Sequence, residues 1–168
     1  MTVETIIVKN WINPITGLIL SENEDWVLMH EIPADYALDG YLLINKNYLR
    51  SREIESEELQ KLRVLKLKKV STKIPEGFSF STALDMLKWS ESVYGQFQFQ
   101  EDIEDETYFG KMKSEQEAQF IVDFINSDGT IDTDFDVVFD VNKIHTIAFA
   151  ADYFNSIRLL MLDEASNA

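Results

Sequence analysis

Thirty carboxylates, two histidines and no cysteine set the chemistry open to this 168-residue chain. Without cysteine there is no disulfide, no thiolate nucleophile and no thiolate-held metal. His30 and His145 each lie in an apolar run, and neither a His-x-x-x-His nor a His-Glu-x-x-His spacing exists. A zinc site would need both to converge with a carboxylate across the chain, so each is read as a partly exposed strand residue. Residues 126–134 (Asn-Ser-Asp-Gly-Thr-Ile-Asp-Thr-Asp) have the look of a calcium loop. An EF-hand needs an Asp two residues before Asn126 and a Glu at its twelfth position, but Phe124 and Phe135 stand there. The segment therefore reads as a hairpin turn with solvated acids. Asp132, Asp134 and Asp136, alternating with Phe135 and Val137, form one wet face of a strand.

Covalent and acid–base catalysis find little footing. There is no Gly-x-Ser-x-Gly and no P-loop. A working pair of carboxyls needs burial to part their pKa values, yet every acidic run falls in a loop or on an alternating strand. No catalytic residue, metal ligand, cofactor-binding residue or cofactor is assigned. The basic residues Arg50, Arg52, Lys61, Arg63, Lys66, Lys68, Lys69 and Lys73 are interleaved with Glu53, Glu55, Glu57 and Glu58. They lack the alternation with aromatics of a base-stacking surface. They read as a solvated helix face, or as a surface turned toward acids elsewhere. With a net charge of −15, nucleic acid is not an expected partner.

The charge is partitioned. Residues 1–74 hold 10 Lys/Arg and 11 Asp/Glu, whereas residues 75–168 hold 5 and 19. The change falls at Ser71-Thr-Lys-Ile-Pro-Glu-Gly77, a linker or sharp turn by composition. Two domains, 1–74 and 75–168, are expected. In the first, short β runs lead to a helix beginning near Ser56, with Leu59, Leu62 and Leu65 on one face. The second opens with a helix capped by Ser81 or Thr82 and ended by Gly95. Phe97-Gln-Phe-Gln100 then alternates strictly, and several short strands follow. Tyr153–Met161 is readable as strand or helix. The amino terminus lacks a basic n-region, and no run is long and apolar enough for a bilayer, so a soluble, cytoplasmic protein is expected.

The halves repeat one order: a strand with an internal Gly (Gly17, Gly110), a polar loop, an aromatic-led strand (Trp26, Phe120), a turn, a strand, an Asn-Lys turn and a last strand. Ile44-Asn-Lys matches Val141-Asn-Lys. Short strands with a Gly in a long bent one describe a small closed barrel. The second half, with Phe97-Gln-Phe and Tyr108-Phe-Gly-Lys-Met, resembles an Sm-like or SH3-like barrel. The first, with Asp25-Trp-Val-Leu, Asp39-Gly-Tyr and Asn47-Tyr-Leu, resembles a bacterial family of unknown function carrying the same kind of barrel. The resemblance implies a mainly β protein with short helices and two small barrels in tandem. It does not imply RNA binding, because Ser114–Ala118 and Val141–Ile144 do not match the Sm RNA-binding loops.

The expected role is a non-enzymatic interaction or accessory module acting through its acidic surface. An immunity or inhibitor protein covering a basic site is the alternative, and a carboxylate-site hydrolase is a third. A protein partner or self-association is expected, with no membrane contact. The residues assigned to it are Asp132, Asp134 and Asp136 on the acidic side and Lys66, Lys68 and Lys69 on the basic side. Trp26, Leu28, Leu43, Phe97, Phe99, Phe120, Val122, Val137 and Phe139 are expected in the core.

Overall fold

The computed structural model describes residues 1–168. It is mainly β, with three helices and one antiparallel sheet of 11 strands. The first half supplies β1 (Thr2–Val8), β2 (Ile15–Glu22), β3 (Trp26–Glu31), β4 (Tyr41–Asn45) and β5 (Leu49–Glu53), then helix α1 (Ser56–Lys68). The second supplies α2 (Ala83–Tyr94), β6 (Phe97–Gln100), β7 (Thr107–Gln116), β8 (Gln119–Ile125), β9 (Ile131–Asp132), β10 (Val138–Asp140), β11 (Thr146–Phe149) and α3 (Asp152–Asn167). Along the sheet the order is β10-β8-β7-β6-β11-β4-β3-β2-β1-β5, with β9 also on β8.

That order is one unit written twice. Strands β1 to β5 lie as 4-3-2-1-5, and β6, β7, β8, β10 and β11 repeat the arrangement. The register agrees in detail. Gly17 faces Glu31 and Gly110 faces Phe124, and each strand bulges just beyond, at Ile19/Ser21 and Met112/Ser114. Both glycines are held by close backbone approach. A Cβ at Gly17 would lie 2.8 Å from the His30 carbonyl oxygen, and one at Gly110 would lie 2.6 Å from that of Asp123. Asn45 and Asp140 cap equivalent 3-10 turns, each side chain accepting from the N–H two residues on. Equivalent positions differ by 93 in the first three strands and by 95 in the last two, because the second unit's β3–β4 connection is longer.

The repeat seen in the sequence is therefore present, but slipped. Val27, not Trp26, corresponds to Phe120, since each faces the strand-4 partner Ile44 or Phe139. Asn45 corresponds to Asp140, not to Asn142. A slip of one exchanges the two faces of a strand.

The sheet does not form two separate closed barrels. It is open and runs through both halves, because β4 pairs with β11 from Thr146↔Ile44 to Phe149↔Tyr41. Residues 71–77 carry neither helix nor strand, as a linker should, but the sheet crosses the 74/75 division without a break.

The core follows the sheet across that division. Phe97, Phe99, Phe120, Val122 and Phe139 pack with Met86 and Leu87 of α2 and Phe154 of α3, but also with Trp26, Leu28 and Leu43. Ile6, Val8, Val27, Met29, Leu42 and Ile44 form a second cluster that includes Ala148. In a third, Leu65 of α1 covers Val3, Leu18 and Ile32. Of the expected core only Val137 is open, at 46% exposure. It stands at the sheet's edge, where its counterpart Leu42 is covered by β11. Leu59 is 57% exposed, because α1 turns Glu58, Lys61 and Leu65 inward instead. The carboxy-terminal run is helix α3, anchored by Phe154 and Ile157. For α2, Thr82 caps the start by accepting from the Asp85 N–H, and Gly95 at φ 77° ends it.

A shared core makes the halves unfold together. Ile147→Ala, at the fully buried centre of the seam, is expected to cost about 2–5 kcal/mol. Urea unfolding followed by tryptophan fluorescence and by far-ultraviolet circular dichroism should move to one lower, common midpoint. Two separated transitions would show that the halves are energetically independent.

Candidate functional site

The sheet has two free edges, and an edge strand presents unpaired N–H and C=O groups to any passing strand. The β5 edge is guarded by charge. The Arg52 guanidinium donates to Glu4 at 2.5 and 3.0 Å and to Glu22 at 2.7 Å. Those carboxylates hold the guanidinium still more firmly protonated against its partial burial. Arg52 and Lys46, the latter 2.7 Å away, pull the Glu22 carboxyl below its usual range. Ser51 and Glu53 complete a polar strand.

The β10 edge is the opposite. Val137 and Val138 are 46% and 54% exposed, whereas their counterparts Leu42 and Leu43 are 4% and 0% exposed beneath β11. Ile131 and Phe135 are also exposed nearby. Val141 donates its N–H to the Ala118 carbonyl at 2.8 Å, so Val141 and Phe139 turn toward β8. Val138 and Asp140, one residue out of step, turn their backbone groups away from it. The counterpart of Asp140 is Asn45, whose outward N–H reaches the His145 carbonyl at 2.9 Å. Beside the β10 edge runs a groove of about 110 Å³ lined by Ser114, Gln116, Gln119, Ile121 and Val138. The matching residues Trp26, Leu28 and Leu43 are buried.

Acids surround this apolar edge. Asp132 lies on β9, and Asp134 and Asp136 on the stretch between β9 and β10. Asp136 meets Lys113 at 2.8 Å, Asp132 accepts the Asp134 N–H at 3.0 Å, and Asp134 has no basic partner. Asp128 spends one oxygen on the Thr130 N–H and hydroxyl, which, with the main-chain bond from Gly129 N–H to Asn126, makes residues 126–130 a turn. The three lysines lie elsewhere. Lys66 and Lys68 close the last turn of α1, Lys69 follows at φ 53°, and Lys68 donates to the Tyr36 carbonyl at 3.0 Å. Helix α1 packs on β1, near the far end of the sheet. The structure thus gathers the three aspartates and leaves the three lysines apart from them. No ion pair joins the basic stretch of the first half to the acids of the second; Lys46, Arg52 and Lys61 pair with Glu22, Glu4 and Glu57.

A second concentration of polar and aromatic side chains sits on the seam, where the sequence offered no signal because β4 and β11 are far apart in the chain. His145 is buried, not partly exposed. Tyr48 stacks on it at 3.6 Å, Trp11 lies parallel on it at 6.2 Å, and its Nδ1 bonds the Lys143 carbonyl at 2.8 Å. Burial pushes the imidazole pKa down, and the Lys143 carbonyl opposes part of that shift. His30 sits on β3 against Tyr41 and the Gly40 carbonyl, with no contact to His145. Nearby, a cleft of about 310 Å³ is lined by residues including Trp11, Glu31, Gln98 and Glu104. Burial, helped by Asp39, raises the Glu31 carboxyl. Glu104 is held low by the N–H groups of Ile12 and Asn13, at 2.8 and 2.9 Å, so both its oxygens serve the main chain.

No group of three or more His, Asp or Glu side chains is arranged to hold a metal ion, and no helix is long and apolar enough to cross a membrane. Compared with protein-family models, with curated proteins and with solved structures, the chain finds no match.

The seam histidine has a pH signature. Its folded pKa lies below the ordinary value of about 6.5. The unfolded chain therefore binds the proton first, and the stability this site provides is complete above about pH 6.5 and lost as pH falls below it. In His145→Phe, which keeps a ring in the stack, the stability deficit relative to the parent should narrow between pH 8 and pH 5. Urea midpoints at four or five pH values measure it. A deficit constant with pH contradicts the assignment.

Proposed function

We propose that this protein is a non-enzymatic interaction or accessory protein that binds a protein partner through the acidic surface of its second half. The observation that carries the reading is the β10 edge. Apolar side chains that are covered in the first unit lie open here, with Asp132, Asp134 and Asp136 on the stretch that leads into them. An exposed apolar patch within a polar rim is the composition of a protein-binding surface. An immunity or inhibitor protein covering a basic site is the specific form favoured by the excess of carboxylates here: Lys113, the one cation beside them, pairs with Asp136, and Asp134 is exposed and makes no ion pair. Each unit is read as a small SH3-like or Sm-like barrel element, the kind carried by the bacterial family its sequence resembles. The repeated 4-3-2-1-5 order and the paired glycine bulges support that reading. A cytoplasmic setting belongs to the same proposal.

Affinity capture from the native cell tests it with three proteins: the parent, the triple variant Asp132→Lys/Asp134→Lys/Asp136→Lys, and the triple variant Lys66→Glu/Lys68→Glu/Lys69→Glu. The parent and the lysine-reversed protein should retain the same partner. The aspartate-reversed protein should lose it by about tenfold or more, since charge reversal in an interface leaves like charges facing one another. Equal capture by all three contradicts the proposal.

A further inference from the structure

We infer that the β10 edge accepts an extended strand from a basic partner protein, added antiparallel in the way β11 is added to β4. This deepens the reading above and rests on its claim that a protein binds the acidic half. The chain itself contains the template. In the seam, Thr146, Ile147, Ala148 and Phe149 face Ile44, Leu43, Leu42 and Tyr41. Carried to the second unit by the structural equivalence, those positions face Phe139, Val138, Val137 and Asp136. The outward backbone groups of Val138 and Asp140 stand where those of Leu43 and Asn45 meet β11.

The chemistry of the edge then specifies the occupant. A small residue must lie over Val137, as Ala148 lies by Leu42. An aliphatic residue opposite Val138 enters the groove beside Ile121. The residues at either end meet Asp136, which Lys113 already pairs, and Asp140, one of whose oxygens caps the turn at Asn142; with Asp132 and Asp134 making no ion pair beside them, the ends call for Lys or Arg. The expected segment reads basic, small, aliphatic, small, basic. A second copy of this chain does not fit. Its β5 would set Glu53 over Val137 and bring an Arg52 already engaged by Glu4 and Glu22. Its β10 would set Asp136 and Asp140 against carboxylates of the same kind. The mode is strand addition, in which main-chain hydrogen bonds give affinity and alternate side chains give specificity.

The probe is a fluorescein-labelled peptide copying residues 143–150, with lysine at the His145 and Phe149 positions. It is titrated into the full-length protein and read by anisotropy at low salt. Saturable binding is expected. Val138→Pro should weaken it about tenfold or more, because proline removes an outward N–H while sparing the bonds to β8, a place where edge strands tolerate it. Circular dichroism checks that this variant is folded. Two peptide controls need no folding: proline at the Ile147 position, or glutamate in place of lysine at the two substituted positions, should abolish binding. Amide exchange at Val138 and Asp140 should slow in the complex. Binding lost in the aspartate-reversed protein but untouched by Val138→Pro or by the proline peptide overturns strand addition and leaves the acidic-surface proposal standing. Absence of saturable binding also overturns strand addition, while the capture experiment judges the broader proposal separately. Dimers that Val138→Pro dissolves would make a second copy the occupant and overturn the basic-partner inference.

Discussion

Strand β11 has no free side. Its four residues are buried on both faces, and its two edges pair with β6 and β4. Such a strand cannot carry a charge or leave a polar group unanswered. Thr146 accordingly donates its hydroxyl to the Gln100 side chain at 3.0 Å, and Ile147, Ala148 and Phe149 are apolar. Because Ile147 and Phe149 point into one core cluster and Ala148 into the other, a single strand holds two units in fixed register. The rest follows from that position. Asn45 can reach the Ile144 carbonyl with its side chain, Trp11 and Tyr48 can enclose His145, and the Asp39 carboxylate can accept the first N–H of α3. Joining strand 5 of one unit to strand 4 of the other also decides which strands stay free: strand 5 of the first and strand 4 of the second.

The two units close equivalent positions in different ways. Phe97 and Ile147 are fully buried in the second, under α2 and the aromatic cluster. The same positions in the first are Glu4 and Arg52, joined with Glu22 in a charge-assisted network. The difference follows from where each helix lies. Helix α1 covers the face of Val3 and Leu18, the opposite side of β1 from Glu4. With no helix over it, the Glu4 side keeps access to water at Arg52 and Glu22, and there a hydrogen-bonded ion pair avoids the desolvation that a sealed site would impose. The by-product is a β5 edge lined with charge.

Periodicity within each strand was legible: Phe97 and Phe99 inward on β6, Gly17 and Gly110 at matching bends, Thr82 and Gly95 at the ends of α2. The relation between strands was less so. Both faces of β3 are buried, so Trp26 and Val27 carry equal apolar signal, and the hydrophobic pattern cannot choose between two alignments one residue apart. The pairing of strands decides it: Gly17 with Glu31 and Gly110 with Phe124 on one side, Val27 with Ile44 and Phe120 with Phe139 on the other. Val137 looked like core for the same reason that Leu42 is core; what differs is the neighbouring strand, which no local pattern reports. His145 meets Trp11 and Tyr48, and Glu31 and Glu104 line one cleft, through contacts between residues far apart in the chain, beyond the reach of spacing arguments. The acids Asp132, Asp134 and Asp136 were visible as a group because they are neighbours in sequence as well as in space.

Their charge has a second consequence for the same edge. An exposed strand that begins at Val138, with Val137 open just before it, invites edge-to-edge pairing between copies, and natural sheets suppress this with charge or with very short edge strands. Both devices are present: β10 has three residues, and carboxylates stand on either side of it. Two such edges approaching one another bring like charges together at contact distance, well inside the roughly 8 Å over which physiological salt screens them. A strand flanked by Lys or Arg meets the same field with the opposite sign. Under the proposed strand addition, one set of aspartates would both repel the chain's own copies and attract a basic segment, so that the edge could stay apolar without becoming a site of self-aggregation.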